Sequence, residues 1–301
     1  RSGFGYALAY SGDGARAAVS GDAAVRVWDT VTGEKLFELA DETPEGQLRQ
    51  AALSADGTRV AATNADRKAR VWDVASGAVL LELPIGPRGA GLLLAPKGDK
   101  LLLLNSVFGA AGWERTAEVF AVASGDALGK TVLVEPLSVH ASAFDGGGTR
   151  LALATDDGLQ LWDVAAWKQR HTFPGRFRHP GTVAFSADGA LLAAGTKDGD
   201  LALWNVADGK GAEAAKAHQG AVRGVAFSPD GGMLATVSED RTLKLWSVPD
   251  LRLLETRKGH DQSVFAVAFA GDGKELATGS FDGRTKIWDT EADIEFVRAG
   301  Q

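Results

Sequence analysis

Two neighbouring stretches of this 301-residue chain carry a histidine, a serine and an aspartate at the same spacing. A hydroxyl, an imidazole and a carboxylate could act as nucleophile, base and orienting group if the fold brought them together. The two sets are His218, Ser238 and Asp240, and His260, Ser280 and Asp282. Because residues that recur from copy to copy usually serve a scaffold, the repetition favours a structural role over catalysis.

Other chemistry-bearing patterns are absent from the sequence. The five histidines form no i, i+4 pair, and the chain has no cysteine to complete a zinc site. Its Asp-Gly pairs lack the ligand ladder of a calcium loop, and there is no Gly-x-x-x-x-Gly-Lys-Ser/Thr phosphate loop. We therefore expect no catalytic residue, no metal site and no cofactor.

Composition and charge limit the partners and the compartment. A net charge of −7 argues against nucleic acid, because neutralising phosphates needs a basic stripe. No apolar run reaches the length of a membrane span, which is about 18 residues, so we expect no membrane contact. The lack of cysteine fits a reducing compartment, and we expect a cytoplasmic location, with a processed extracytoplasmic form as the alternative. Since the sequence begins Arg1-Ser2-Gly3, we expect it to be processed or excised from a longer protein.

The sequence that contains these histidines, serines and aspartates has a regular internal period. An aromatic residue returns every 42 to 48 residues, at Trp28, Trp72, Phe120, Trp162, Trp204, Trp246 and Trp288. A repeat of this length cannot bury its apolar face alone and must stack on its neighbours. The period therefore predicts seven copies of one unit.

Each copy is predicted to contain four antiparallel strands. In the sixth copy, apolar runs at 222–228, 234–238 and 242–246 are separated by turn residues such as Asp230-Gly231, and a weaker run at 251–256 follows. Short runs of this kind between Asp-Gly signals are typical of strands joined by hairpins. Four such strands make one propeller blade.

The ends of the third strands resemble WD40 repeats. Four copies end in the Trp-Asp pair, at Trp28-Asp29, Trp72-Asp73, Trp162-Asp163 and Trp288-Asp289, and Gly259-His260 matches the repeat's opening dipeptide. The resemblance implies a single all-β domain over residues 1–301, a seven-bladed β-propeller. Many WD40 rings are latched by an N-terminal strand, but this sequence starts on a first strand at 4–11, so we expect no latch strand. The blades are expected at about 4–39, 47–83, 88–134, 138–174, 179–216, 218–256 and 260–298.

The resemblance also gives the duplicated serine, histidine and aspartate a structural interpretation. In WD40 blades such residues form a buried hydrogen-bond network that runs from the turn acid through histidine and serine to the indole. We therefore assign His218, Ser238, Asp240 and Trp246 to one structural tetrad, and His260, Ser280, Asp282 and Trp288 to a second.

The function that the resemblance implies is protein or peptide docking on one face of the propeller, as a module or subunit of a larger assembly. The positions carried over to that face, with the blade 3 insertion, are Phe4, Tyr6, Arg49, Arg88, Phe108, Trp113, His140, His179, Lys197, Arg223, Glu239, Phe265 and Phe281. The alternative is a small-ligand or glycan site at the mouth of the central channel.

Three aromatic features stand out from the repeat. Phe265 and Phe281 of blade 7 and Phe4 and Tyr6 of blade 1 are candidates for one aromatic patch. The insertion at 105–113 is expected to lengthen a loop of blade 3. Trp167 lies in the connection between the third and fourth strands of blade 4, where we expect it to cap the edge of that blade.

Overall fold

The protein folds entirely into strands and turns in the part of the chain that can be described. The structure is a computed structural model that describes residues 5–11, 15–21, 24–40, 50–63, 66–86, 90–109, 112–133, 139–173, 180–214 and 216–290. Consecutive strands pair antiparallel into seven sheets. The chain is therefore an all-β, seven-bladed β-propeller, which confirms the predicted fold class.

The first three blades each have four strands in chain order. They consist of β1 (Gly5–Tyr10), β2 (Arg16–Gly21), β3 (Ala24–Asp29) and β4 (Lys35–Ala40) in blade 1, β5 (Gln50–Leu53), β6 (Arg59–Thr63), β7 (Lys68–Asp73) and β8 (Val79–Pro84) in blade 2, and β9 (Ala90–Leu94), β10 (Lys100–Gly109), β11 (Gly112–Ala121) and β12 (Ala127–Leu133) in blade 3. Because β1 pairs with β2, it is the first strand of blade 1.

The next three blades repeat this order, and blade 7 shows three strands among the described residues. They consist of β13 (Val139–Phe144), β14 (Arg150–Thr155), β15 (Gly158–Asp163) and β16 (Lys168–Phe173) in blade 4, β17 (Pro180–Phe185), β18 (Leu191–Thr196), β19 (Leu201–Asn205) and β20 (Gly211–Ala214) in blade 5, β21 (Val222–Phe227), β22 (Met233–Ser238), β23 (Thr242–Ser247) and β24 (Leu253–Lys258) in blade 6, and β25 (Val264–Phe269), β26 (Glu275–Ser280) and β27 (Thr285–Asp289) in blade 7. The fourth strand predicted for blade 7, at 294–298, lies outside the described residues.

The chain divides into two compact units. The first contains Arg1–Ser138, Gly147–Arg150 and Asp163–Lys168, and the second contains Val139–Gly146, Leu151–Trp162 and Gln169–Gln301. That the chain is one domain remains a prediction.

The core of each unit lies between consecutive blades. In the first unit, Val27 and Trp72 belong to a cluster shared by blades 1 and 2. In the second, Trp246 packs with Leu203 of blade 5, and Leu245 packs with Leu276 of blade 7. Burying one such side chain stabilises the fold by roughly 2 kcal/mol. The repeating tryptophan is therefore a packing element of the scaffold.

Blade 3 differs from the others in the length of its central hairpin. β10 and β11 have ten residues each and stay paired to the end, with Phe108 opposite Trp113 and Gly109 opposite Gly112. The insertion predicted as a longer loop is therefore an extension of this hairpin.

Candidate docking surface

A buried hydrogen-bond chain joins the loop before β21 to the turn after β22. The Nδ1 atom of His218 lies 2.9 Å from Asp240 Oδ2, and its Nε2 atom lies 2.7 Å from Thr236 Oγ1. The indole N–H of Trp246 donates to the same Thr236 oxygen over 2.9 Å. Because an ionised carboxylate only accepts, Nδ1 donates to Asp240, and in the neutral imidazole Nε2 then accepts the threonine hydroxyl.

Blade 7 repeats this chain atom for atom. His260 Nδ1 lies 2.8 Å from Asp282 Oδ2, and Nε2 lies 2.8 Å from Thr278 Oγ1. The Trp288 indole donates to Thr278 over 2.8 Å. The histidine, aspartate and tryptophan positions expected from the sequence therefore meet in both blades through a threonine.

The serines assigned to the tetrads occupy other sites, so that part of the assignment was wrong. Ser238 Oγ accepts a hydrogen bond from the backbone N–H of Asp240 over 3.1 Å. Ser280 Oγ lies 3.1 Å from the carbonyl of Gln262 and 3.0 Å from that of Ser263. Strand residues two apart share a face, so the sequence allows either Thr236 or Ser238 to be the tetrad hydroxyl. In the structure the threonine contacts the histidine and the indole.

The two aspartates are held in their ionised form. Burial alone would raise the pKa of Asp240, but hydrogen bonds from His218 and Thr242 outweigh it and hold the pKa well below its usual range. For Asp282, burial is likewise outweighed by the backbone N–H of Asp261 and by His260, so its pKa is also lowered. Each carboxylate thus anchors a backbone loop to a turn.

A β-bulge sits at the second residue of the first strand in several blades. The pairing register slips between Val222 and Gly224, which leaves Arg223 as the extra residue, and between Val264 and Ala266, which leaves Phe265. The same slip singles out Tyr6 in blade 1, His140 in blade 4 and Gly181 in blade 5. Bulges redirect side chains away from the sheet, so these positions form a natural place for contacts with other molecules.

In the second unit, the bulge residues and the residues that follow the second strands form what we call the bulge row. Its members are His140 and Asp156, Gly181 and Lys197, Arg223 and Glu239, and Phe265 and Phe281. The first strands β13, β17, β21 and β25 contact one another in that order. The four positions therefore follow one another from blade 4 to blade 7.

The bulge row holds a different pair in each blade. His140 Nε2 contacts Asp156 Oδ1, and Arg223 Nε donates to Glu239 Oε1 over 2.9 Å. In blade 7 the rings of Phe265 and Phe281 lie 4.9 Å apart, with exposed fractions of 41% and 68%. The scaffold is thus constant, whereas the chemistry that it displays changes from blade to blade.

Several residues expected on this face lie outside the described part of the chain. These are Phe4, Arg49, Arg88 and His179, while Tyr6, Phe108 and Trp113 are described by backbone pairing alone. The blade 5 position was assigned to His179, but the bulge places Gly181 there. The signal that could have found Gly181 is the separation of 16 residues that the His140–Asp156 and Arg223–Glu239 pairs share.

Trp167 caps a neighbouring blade. Its indole N–H donates to Thr131 Oγ1 on β12 over 3.0 Å. A Cβ added to Gly129 would lie 2.1 Å from the Trp167 ring, so the indole lies directly on that glycine. The edge that Trp167 covers is therefore the outer strand of blade 3, whereas the sequence predicted the edge of blade 4.

Two basic side chains of β7 in blade 2 are paired with acids. Lys68 pairs with Glu82, and Arg70 contacts both Asp66 and Glu82.

Within the described ranges, no group of three or more metal-ligating side chains converges. The same part of the chain contains no helix long and apolar enough to cross a membrane.

Four segments of the chain match a known repeat family. The family described as WD domain, G-beta repeat matches residues 39–73, 167–205, 213–247 and 251–289. The matched segments end on the last residues of β7, β19, β23 and β27, so they contain the first three strands of blades 2, 5, 6 and 7. No curated protein is significantly similar to the chain. Four of the seven consecutive antiparallel blades match this repeat, so the chain contains WD40 repeats within a seven-bladed β-propeller.

Proposed function

We propose that the protein is a non-catalytic interaction scaffold that docks a protein or peptide on the bulge row, as a module or subunit of a larger assembly. WD40 propellers are commonly protein-interaction scaffolds and are generally not enzymes. The observation that carries the proposal here is the exposed contact between Phe265 and Phe281.

This aromatic pair differs from the other exposed apolar side chains. Among the described residues, Phe265 and Phe281 alone of the large exposed hydrophobics are both aromatic and in ring contact. Adjacent exposed aromatics are the residue type that dominates interface hot spots, because large rigid rings bury much area at little entropic cost. Exposure of the two rings to water is unfavourable, so a partner that buries them gains binding free energy.

Charged groups beside the pair supply orientation. Arg223 and Glu239 of blade 6 form an ion pair, and Ser263 of blade 7 approaches the Glu239 carbonyl at 3.5 Å. A partner seated on the phenylalanines would therefore meet opposite charges at its edge. Such charges set specificity and the rate of association more than affinity.

The hydrogen bonds of the two repeated histidines favour a scaffold role over hydrolysis. His218 Nε2 and His260 Nε2 are occupied by threonines, which in turn bind the indoles. A general base needs a free lone pair directed at a nucleophile. These histidines instead hold loops in place.

The proposal is tested by replacing the aromatic pair. Proteins that copurify with the chain from its native cells are identified, and their dissociation constants are measured for the original chain and for Phe265→Ala/Phe281→Ala. We expect affinity to fall by about thirtyfold or more, since a central hot spot contributes roughly 2 kcal/mol or above.

Leu253→Ala provides the matched control, because Leu253 is 45% exposed on β24, the fourth strand of blade 6, whereas the bulge positions lie on the first strands. Its partners should bind as before. Equal affinities for the original chain and the double variant would assign docking to another surface. No contact among the described side chains supports the alternative, a small-ligand or glycan site, which stays a prediction.

A further inference from the structure

Blade 5 breaks the pairing pattern of the bulge row. Blades 4 and 6 place a cationic or imidazole side chain opposite a carboxylate, and blade 7 places two rings together. In blade 5 the second position is the exposed cation Lys197, whereas the bulge position is Gly181, which has no side chain. One half of a pair is therefore missing from this blade.

The backbone does not require a glycine at this bulge. Gly181 is not among the glycines with positive φ. A Cβ added there would lie 3.6 Å from the Val222 carbonyl oxygen and 4.0 Å from Lys197 Cγ, which is ordinary van der Waals contact. A side chain would fit and would approach the stem of Lys197, so the glycine leaves space beside this side chain.

Lys197 has no counter-ion within the described part of the chain. No hydrogen bond or ion pair of its ammonium group occurs there, whereas Arg223 in the next blade is already neutralised by Glu239. An exposed ammonium attracts an anion, and a carboxylate is the group with which the basic side chains of blades 4 and 6 pair, although there the base stands at the bulge and the carboxylate after the second strand.

We propose that blade 5 receives a carboxylate from the docked partner, so that an acidic side chain of the partner completes the pair with Lys197. The order of contacts from β17 through β21 to β25 places this site two blades from the aromatic pair, with the neutral Arg223–Glu239 pair between them. The partner is therefore an acidic peptide segment that also carries an apolar anchor for Phe265 and Phe281. This inference rests on the proposed docking function.

The probe is a display library of short random peptides, selected on the whole chain. Selected peptides are then synthesised with each Asp or Glu and with the matching Asn or Gln. We expect peptides that need Phe265 and Phe281 to contain an acidic residue at a fixed distance from an apolar one. Its amide version should bind the original chain roughly three- to fivefold more weakly, as for an exposed ion pair.

A double-mutant cycle isolates the contact. Lys197→Gln should lower the affinity of the acidic peptide by the same factor and should not change that of the amide peptide, because the two changes remove one interaction. Additive effects would overturn the proposal.

Gly181→Glu and Gly181→Gln form a matched pair that separates charge from bulk. The introduced carboxylate would occupy Lys197 from within the chain, so Gly181→Glu should weaken acidic peptides at least about fivefold relative to Gly181→Gln. Thermal unfolding of both variants verifies that the blade is intact. Equal binding by the two variants would contradict the proposal.

The outcomes distinguish this inference from the function on which it rests. Peptides that need Phe265 and Phe281 but show no acidic preference overturn the carboxylate site and leave docking supported. A selection that yields no peptide dependent on the two phenylalanines overturns both.

Discussion

The threonine hydroxyl is the junction of each tetrad. Thr236 and Thr278 are fully buried, and each serves both a histidine and an indole. Buried polar groups of this kind contribute little net stability when paired but cost much when one partner is removed. The consequence is that one hydroxyl controls the position of a loop and a turn.

Two neighbouring hydroxyls of β22 should differ in their contribution to stability. Thr236→Val keeps the shape of the side chain but leaves His218 Nε2 and the Trp246 indole N–H without partners, so we expect a loss of about 2 to 4 kcal/mol. Ser238→Ala removes one acceptor from a backbone N–H and should cost about 1 kcal/mol. The thermal unfolding midpoints of both variants measure the difference. A larger loss for Ser238→Ala would restore the serine to the tetrad.

The depressed pKa of Asp240 predicts a specific loss of stability in acid. Since its folded pKa lies below the ordinary value of 3.8, its contribution is fully present above about pH 4 and declines as the pH falls below that value. Asp240→Asn, which cannot ionise, should be less stable than the original chain at neutral pH and should lose less stability on acidification from pH 5 to about pH 3. Parallel curves of unfolding midpoint against pH would contradict the assignment.

The choice between Thr236 and Ser238 shows where sequence reasoning stops. Both residues lie on one face of β22, because strand side chains alternate, and spacing along the chain cannot separate them. Only the pairing of β22 with β23, which places Leu234 opposite Trp246, brings Thr236 to the indole. Gly181 was missed for a different reason: without a side chain it carries no chemical signal.

At the scale of elements, the period and the turn residues predicted the strands well. In blade 6, the predicted runs at 222–228, 234–238 and 242–246 correspond to β21, β22 and β23 within one residue at each end. The bulges were not predictable, since they depend on pairing between strands rather than on composition. Nor was the contact of Trp167 with another blade, because its position depends on how two blades pack.

The contact between Trp167 and β12 gives a prediction about that packing. Gly129→Ala would place a methyl group 2.1 Å from the indole, so the ring must move, and overpacking of this kind costs about 1 to 3 kcal/mol. Trp167→Ala in the same chain should remove most of this additional cost. The measurement is a double-mutant cycle on unfolding midpoints.

Gly181→Ala is the control for this cycle, because its added Cβ has room. It should change stability much less than Gly129→Ala. If the effects of Gly129→Ala and Trp167→Ala simply add, the indole does not lie on the strand as described.

At the scale of the molecule, stability is distributed over contacts between consecutive blades. Arg16 donates to the Gly57 carbonyl of blade 2, and Arg59 donates to the Gly98 carbonyl of blade 3, both over 2.8 Å. In the first unit, the arginine at this position of the repeat therefore bonds to the following blade in both blade 1 and blade 2. Since each repeat contacts only its neighbours, a change in one such contact should be felt locally.

Arg59→Met tests this nearest-neighbour behaviour. Methionine retains the apolar stem that packs on Gly98 but cannot donate to its carbonyl. We expect a loss of about 1 to 2 kcal/mol, together with faster amide exchange in the turn at 96–99 and unchanged exchange in β22 and β23 of the second unit. Arg252→Met, an exposed arginine of blade 6, should leave the turn at 96–99 as it was. If Arg59→Met accelerates exchange equally in all blades, the chain opens as one cooperative body, and docking at the bulge row would then depend on contacts in distant blades.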